Sequence, residues 1–199
     1  MRPLSVPFAF SQRFPFPADR AFAWAVDYDP GDVVRMGRRG RRSIRRLADD
    51  ALVLTDTMET PAGTIRKRKL VHVYPALRKW VNTTLAGPGR LSQFHYQIVA
   101  EGPRRSRLDF HGLQLLWDRP ALAVPPRERE RLAQQLARED GAIWRRLARA
   151  MARDLGVTRP DASSRTRRAG ARRAARLRNR VADPVTGFIP TSERTRSVG

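Results

Sequence analysis

Apolar and polar positions along the chain fall into two rhythms, and each predicts a different kind of element. Residues Phe8-Ala9-Phe10-Ser11-Gln12-Arg13-Phe14 alternate, which predicts a first strand over 8–14. Pro17-Ala18-Asp19-Arg20 then opens a helix: proline suits the first turn and Asp19 favours its positive end. Phe22, Ala25 and Val26 line one face of that helix, and Asp29-Pro30-Gly31 ends it in a loop or short second helix. From about Ile44 to Trp117 the period becomes two. Leu52, Leu54, Asp56 and Met58 share one face of a strand, with Val53, Thr55, Thr57 and Glu59 on the other. Pro61-Ala62-Gly63, Pro75-Ala76, Gly87-Pro88-Gly89 and Gly102-Pro103 punctuate this region as turns. They divide it into strands over 64–74, 78–86, 91–101 and 107–117.

The last of these strands changes parity. Leu108 and Phe110 are in phase, whereas Leu113, Leu115 and Trp117 are out of phase with them, so a β-bulge is predicted at Gly112. Pro120 to Pro126 is a connector. From Arg127 to Leu155 the period is helical, with Leu132, Leu136, Ile143, Leu147 and Met151 forming an apolar stripe joined by Trp144, Ala148 and Leu155. Gly156 is the expected C-terminal cap. Beyond it the chain loses periodicity and becomes rich in Arg, Ala and Ser, which predicts a basic, disordered tail over 157–199 after a folded domain over 1–156.

Composition sharpens this picture at three points. A chain of 199 residues with a hydrophobic fraction of 41% has enough material for one domain with a real core. The absence of cysteine excludes disulfides, thiolate metal sites and cysteine nucleophiles. No stretch approaches the roughly 20 apolar residues that span a bilayer. Met1 to Pro7 lacks the apolar centre of a signal peptide, so a soluble, cytoplasmic protein is expected. The net charge of +21 divides into +13 up to Gly156 and +8 beyond it, so both parts attract polyanions: RNA, DNA or an anionic membrane surface. Nearly all of the positive charge is arginine, and Lys67, Lys69 and Lys79 are the only lysines. GC-rich codons account for a share of that bias.

The order strand, helix, antiparallel strands, long C-terminal helix resembles the START-like (SRPBCC) superfamily, which includes polyketide cyclase/dehydrase and coenzyme Q-binding proteins. The opening Phe10-Ser11-Gln12-Arg13-Phe14-Pro15-Phe16-Pro17-Ala18-Asp19-Arg20-Ala21-Phe22-Ala23-Trp24 resembles the superfamily's strand followed by Pro-Ala-Asp-x-Val-Trp, with Ala21-Phe22 in place of Val-Trp. The closing helix and its Trp144 extend the match over roughly residues 6–156. The resemblance implies an α+β helix-grip fold, in which a curved antiparallel sheet of about six or seven strands wraps the last helix. It also implies a cavity between sheet and helix for a hydrophobic molecule of lipid, isoprenoid or polyketide type. The expected lining is Leu54, Met58, Trp80, Phe94, Tyr96, Phe110 and Leu113 from the sheet, with Leu136, Ile143 and Leu147 from the helix. Gly141, mid-helix, costs about 1 kcal/mol against alanine and suggests a close approach or kink over that cavity.

Candidate chemistry is sparse. His72, His95 and His111 are not spaced as metal ligands, and neither a metal nor a cofactor is expected. Tyr96, His111 and Asp56 are the candidate acids or bases, with Gln114 as a further polar group, but no diagnostic spacing pairs them with a partner. The segment from Arg35 to Arg46 holds Arg35, Arg38, Arg39, Arg41, Arg42, Arg45 and Arg46, a candidate anion-binding cluster near the pocket mouth. Arg66-Lys67-Arg68-Lys69 places bases on both faces of its strand, which suggests an edge or a poorly covered sheet. No aromatic residue is interleaved in either run, as stacking on single-stranded nucleic acid requires. A hydrophobic-ligand carrier docking through its basic surface is therefore expected ahead of two rivals. These are an RNA- or ribosome-associated START-like protein, and an aromatase/cyclase-like enzyme.

Overall fold

A computed structural model describes residues 2–120 and 124–156. The tail over 157–199 lies outside the described residues. The elements run β1 (Pro3–Phe14), α1 (Ala18–Val26), α2 (Asp32–Arg35), β2 (Gly40–Ala48), β3 (Ala51–Thr60), β4 (Gly63–Tyr74), β5 (Lys79–Ala86), β6 (Gln93–Ala100), β7 (Ser106–Pro120) and α3 (Pro126–Asp154). One seven-stranded sheet has the order β1-β7-β6-β5-β4-β3-β2. Every neighbouring pair is antiparallel.

Alternation decides which side of each strand meets the core. Leu4, Val6, Phe8 and Phe14 on β1, Leu52 and Leu54 on β3, Val71 and Val73 on β4 and Trp80 on β5 are buried at intervals of two. Against this face lies α3, which buries Trp144, Leu147, Ala150 and Met151. Trp80, Tyr96 and Trp144 meet at the centre: Trp80 stacks on Tyr96 with ring centroids 4.9 Å apart, and Trp144 lies 6.1 Å and 5.8 Å from the two. Helix α3 ends as its sequence predicts, with Gly156 at φ +71° and its N–H donating to the Arg153 carbonyl.

The arginine-rich stretch spans the end of the one-turn helix α2 and the edge strand β2. Two local expectations are corrected. The Arg66–Lys69 run belongs to β4, which is flanked by β3 and β5 and is not an edge. No bulge occurs at Gly112, because β7 keeps register with both β1 and β6 through Phe8–Gly112–Phe94. Leu108, Phe110, Gly112 and Gln114 point inward in unbroken alternation, and Leu113 and Trp117 point outward. The glycine serves packing instead: a Cβ on Gly112 would stand 2.6 Å from the Phe8 ring. Gly112→Ala is therefore expected to cost about 1–3 kcal/mol by overpacking, read from its denaturant midpoint. Gly141 is buried above Phe10 of β1, where an added Cβ would find ordinary contact at 3.9 Å, so it marks helix–strand approach and not a kink.

Candidate functional site

Where α1 and the turn after it cap one end of the seam between sheet and α3, the apolar side chains stop short of filling it. A cavity of about 190 Å³ remains. Its walls are the aromatic centre (Trp80, Tyr96, Trp144) with Phe94, and the aliphatic Leu54, Leu136, Ile143 and Leu147. Trp24, Ala25, Tyr28, Asp32 and Met36 form the α1–α2 side. The turn that delivers Tyr28 inward is strained, with Tyr28 at φ +51°, and Asp29 stabilises it by accepting the Gly31 N–H at 2.6 Å.

Seven of the ten expected lining residues, Leu54, Trp80, Phe94, Tyr96, Leu136, Ile143 and Leu147, therefore surround one space, and three do not. Leu113 is 39% exposed on the outer face, because the parity change that would have turned it inward does not exist. Phe110 points inward but is sealed beneath Phe8, Phe10 and Phe94, with centroids 5.2, 4.5 and 6.1 Å away. Met58 sits near the end of β3, opposite Gly40 and Ile65 and beyond the cavity.

What the pattern of apolar residues does not announce is a buried polar wall. Lys67 and Lys69 on β4 share the phase of Val71 and Val73, so both enter the cavity, as do Arg42 from β2, Asn82 from β5, Gln114 from β7 and Asp140 from α3. Behind them Asp56, 1% exposed, accepts from Arg42 Nε at 2.7 Å and from Lys69 Nζ at 3.0 Å. Arg42, 6% exposed, also bridges to Asp32 at 3.0 Å. Burial alone would raise the Asp56 carboxyl, but Lys69 and then Arg42 overcome it and hold it down at about 2. For Asp32 burial wins over Arg35 and Arg42, and its carboxyl rises.

Lys67 differs from its neighbour. Its ammonium lies over Phe94, 5.5 Å from the ring centroid, and no hydrogen bond or ion pair to a described residue engages it. Burial, then the Lys69 charge, lower it to about 8 against the weaker pull of Asp140 and Asp56. Burial likewise raises Asp140, Tyr96 and Tyr28, so the carboxyl is drawn toward its protonated form and both phenols stay neutral donors. Two buried atoms on this wall have no hydrogen-bond partner among the described residues, the Tyr28 hydroxyl and Asn82 Oδ1.

Of the candidate acids and bases, Tyr96 lines the cavity, and Asp56 is committed to its ion pairs. His111 is exposed on the outer face opposite His95 and cannot reach the interior. The arginine cluster also divides. Arg42 points inward, and Arg35 is held by Asp32 at 3.0 Å and Asp29 at 3.5 Å. Arg38, Arg39, Arg41, Arg45 and Arg46 remain exposed. Among the described residues there is no cluster of potential metal ligands and no helix long and apolar enough to cross a membrane.

No family model and no curated protein matches the sequence. Solved structures do match. The chain is similar to the Zhui aromatase/cyclase of Streptomyces sp. R1128 (TM-score 0.63, 14% identity, 79% of this chain and 98% of the other). It is also similar to a START superfamily protein of Mycobacterium smegmatis (0.54, 16%, 77% and 99%). The di-domain aromatase/cyclase StfQ of the steffimycin biosynthetic pathway matches 78% of this chain over 53% of its own length (0.60, 15%). A seven-stranded antiparallel sheet gripping one C-terminal helix, shared with these structures over nearly the whole described region, gives this chain the START-like (SRPBCC) helix-grip fold.

Proposed function

We propose that this chain binds a small hydrophobic molecule carrying at least one oxygen, ring face against Trp80, Tyr96 and Trp144 and oxygen toward Lys67, Asn82 and Tyr28. The observation that carries this reading is the pair of buried atoms without a partner among the described residues, Asn82 Oδ1 and the Tyr28 hydroxyl, in residues that line a cavity with an aromatic centre. Buried polar groups are ordinarily satisfied, and a ligand hydroxyl, which donates to Asn82 Oδ1 and accepts from the Tyr28 hydroxyl, supplies what is missing. The volume of about 190 Å³ suits a molecule of one or two fused rings or a short chain. The aromatase/cyclase and START neighbours are consistent with a pocketed ligand and support no narrower substrate.

A second surface favours docking on a polyanion. Arg41 and Arg66 flank Thr57 across β2, β3 and β4, and Arg68 follows beside Thr55, which sets a basic strip on the sheet's outer face. These arginines are exposed, and of the three only Arg41 belongs to the Arg35–Arg46 cluster expected to bind anions.

Native mass spectrometry after a high-salt wash tests both readings. A discrete small-molecule adduct, released by solvent or regained with 2-naphthoate, is expected for the wild type. Leu147→Trp, which fills the cavity, should weaken 2-naphthoate at least about tenfold, equivalent to about 1.4 kcal/mol. Failure of any one- or two-ring carboxylate or phenol to bind would overturn the cavity reading. Nucleic acid that survives the wash would move the main function to the outer strip.

A further inference from the structure

The polar wall contains an amine placed for covalent chemistry. Lys67 is the one lysine of three that lines the cavity without an ion-pair partner among the described residues: Lys69 is bound to Asp56 at 3.0 Å, and Lys79 lies with His95 and His111 in a shallow depression on the outer face. Its surroundings are those that activate an amine, an apolar ring beneath it and a second fixed cation beside it on the same strand. Asp140 lines the same cavity from α3, and Arg42, Asp32, Asp56, Tyr28 and Tyr96 complete the titratable groups around it.

We propose that Lys67 captures the aldehyde or ketone carbonyl of the pocketed molecule as a reversible imine. The inference rests on the cavity reading above and goes beyond it by naming a functional group and a bond. The neutral amine attacks the carbonyl carbon, the C–N bond forms, and the C=O π pair moves to oxygen, which takes a proton. The nitrogen then loses a proton, the hydroxyl leaves as water, and the C=N bond closes. The balance is amine plus carbonyl giving imine plus water, with no oxidant or reductant. Asp140, whose carboxyl burial draws toward its protonated form, is placed to donate the proton that converts hydroxide into a leaving water and to take it back on hydrolysis. The lowered Lys67 ammonium makes a substantial neutral fraction available near pH 8.

The test is reductive trapping of the full chain with benzaldehyde and sodium cyanoborohydride at pH 7.5, followed by peptide mapping. Lys67 is expected to be benzylated roughly tenfold or more faster than Lys79, with 2-naphthoate slowing it. Lys67→Arg removes the amine and should give no adduct at this position, whereas Lys79→Arg, on the outer face, should leave 2-naphthoate binding and the labelling of Lys67 unchanged. Labelling of Lys69 or Lys79 at the rate of Lys67, or an unlabelled Lys67 in protein that binds 2-naphthoate, would overturn the imine and leave the binding reading intact. Loss of 2-naphthoate binding by the wild type as well would overturn both.

Discussion

Asp56→Asn is expected to destabilise the folded domain by about 3–5 kcal/mol, lowering its melting temperature by about 10 °C. The substitution changes almost no volume, so the cost is electrostatic. The wild-type carboxylate is 1% exposed and closes a buried network with Arg42 and Lys69. Removing its charge leaves Lys69 without its only ion-pair partner among the described residues, and leaves Arg42 with Asp32 alone. A buried cation without its anion costs far more than the pair contributed, because desolvation is no longer offset. The control is the cycle with Lys69→Met. If the network explanation holds, the double variant recovers a good part of the loss, and the two substitutions are strongly non-additive. Simple additivity would point to a packing defect instead. Acid titration supplies an independent check. The Asp56 carboxyl is held at about 2 in the fold against 3.8 ordinarily. A depressed carboxyl contributes stability that is complete above its unfolded value and lost as pH falls through the folded one. Wild-type stability should therefore drop between about pH 4 and pH 2, and Asp56→Asn should show much less of that slope.

That network also shows where the sequence was legible and where it was not. Strand parity was readable wherever an apolar residue marked it: Leu52 and Leu54 put Asp56 on the inner face, and Val71 and Val73 do the same for Lys67 and Lys69. Read locally, Lys67 and Lys69 mark an edge or a poorly covered sheet and Asp56 a candidate acid or base, because a lone charged residue is rarely buried unless a partner far along the chain is known. Arg42 and Asp56 are fourteen residues apart, and only the β2–β3 register brings them together. The seven-arginine run failed as a unit for the same reason, since alternation along β2 sends Arg41 outward and Arg42 inward. At Gly112 the error was of another kind. Leu113 and Trp117 are apolar but point outward, so an apolar pattern alone mimics the parity change of a bulge. Aromatic positions fared best. Phe94 and Tyr96 are large, in phase and flanked by polar neighbours, and Trp80 shares its phase with the buried Asn82 and Thr84, so period two places all three on the inner face. The pairing of β1 with β7 leaves no local trace in the sequence, because its partners stand about a hundred residues apart.

Lys67→Met should move stability the other way, raising it by about 2 kcal/mol at pH 7. Methionine matches the length of the lysine stem and removes a charge that burial and Lys69 both disfavour. The sign follows from proton counting. Lys67 is lowered to about 8 in the fold from 10.5, so between those values the unfolded chain holds more protons than the native one. Wild-type stability consequently rises with pH through that window, as the native amine sheds its proton and the burial penalty disappears. The variant has nothing to shed, so its advantage is complete below about pH 8 and shrinks toward zero near pH 10. Urea unfolding of both proteins at pH 7 and pH 10 measures this directly. An advantage that persists unchanged at pH 10 would mean the gain is one of packing and that the amine is not under electrostatic strain. The same variant should lose most of its affinity for 2-naphthoate, since the cavity loses the one lining cation that no described residue pairs. A residue whose removal strengthens the fold while emptying the site is one held in place by function, as stability–function trade-off predicts for a group that carries binding or chemistry.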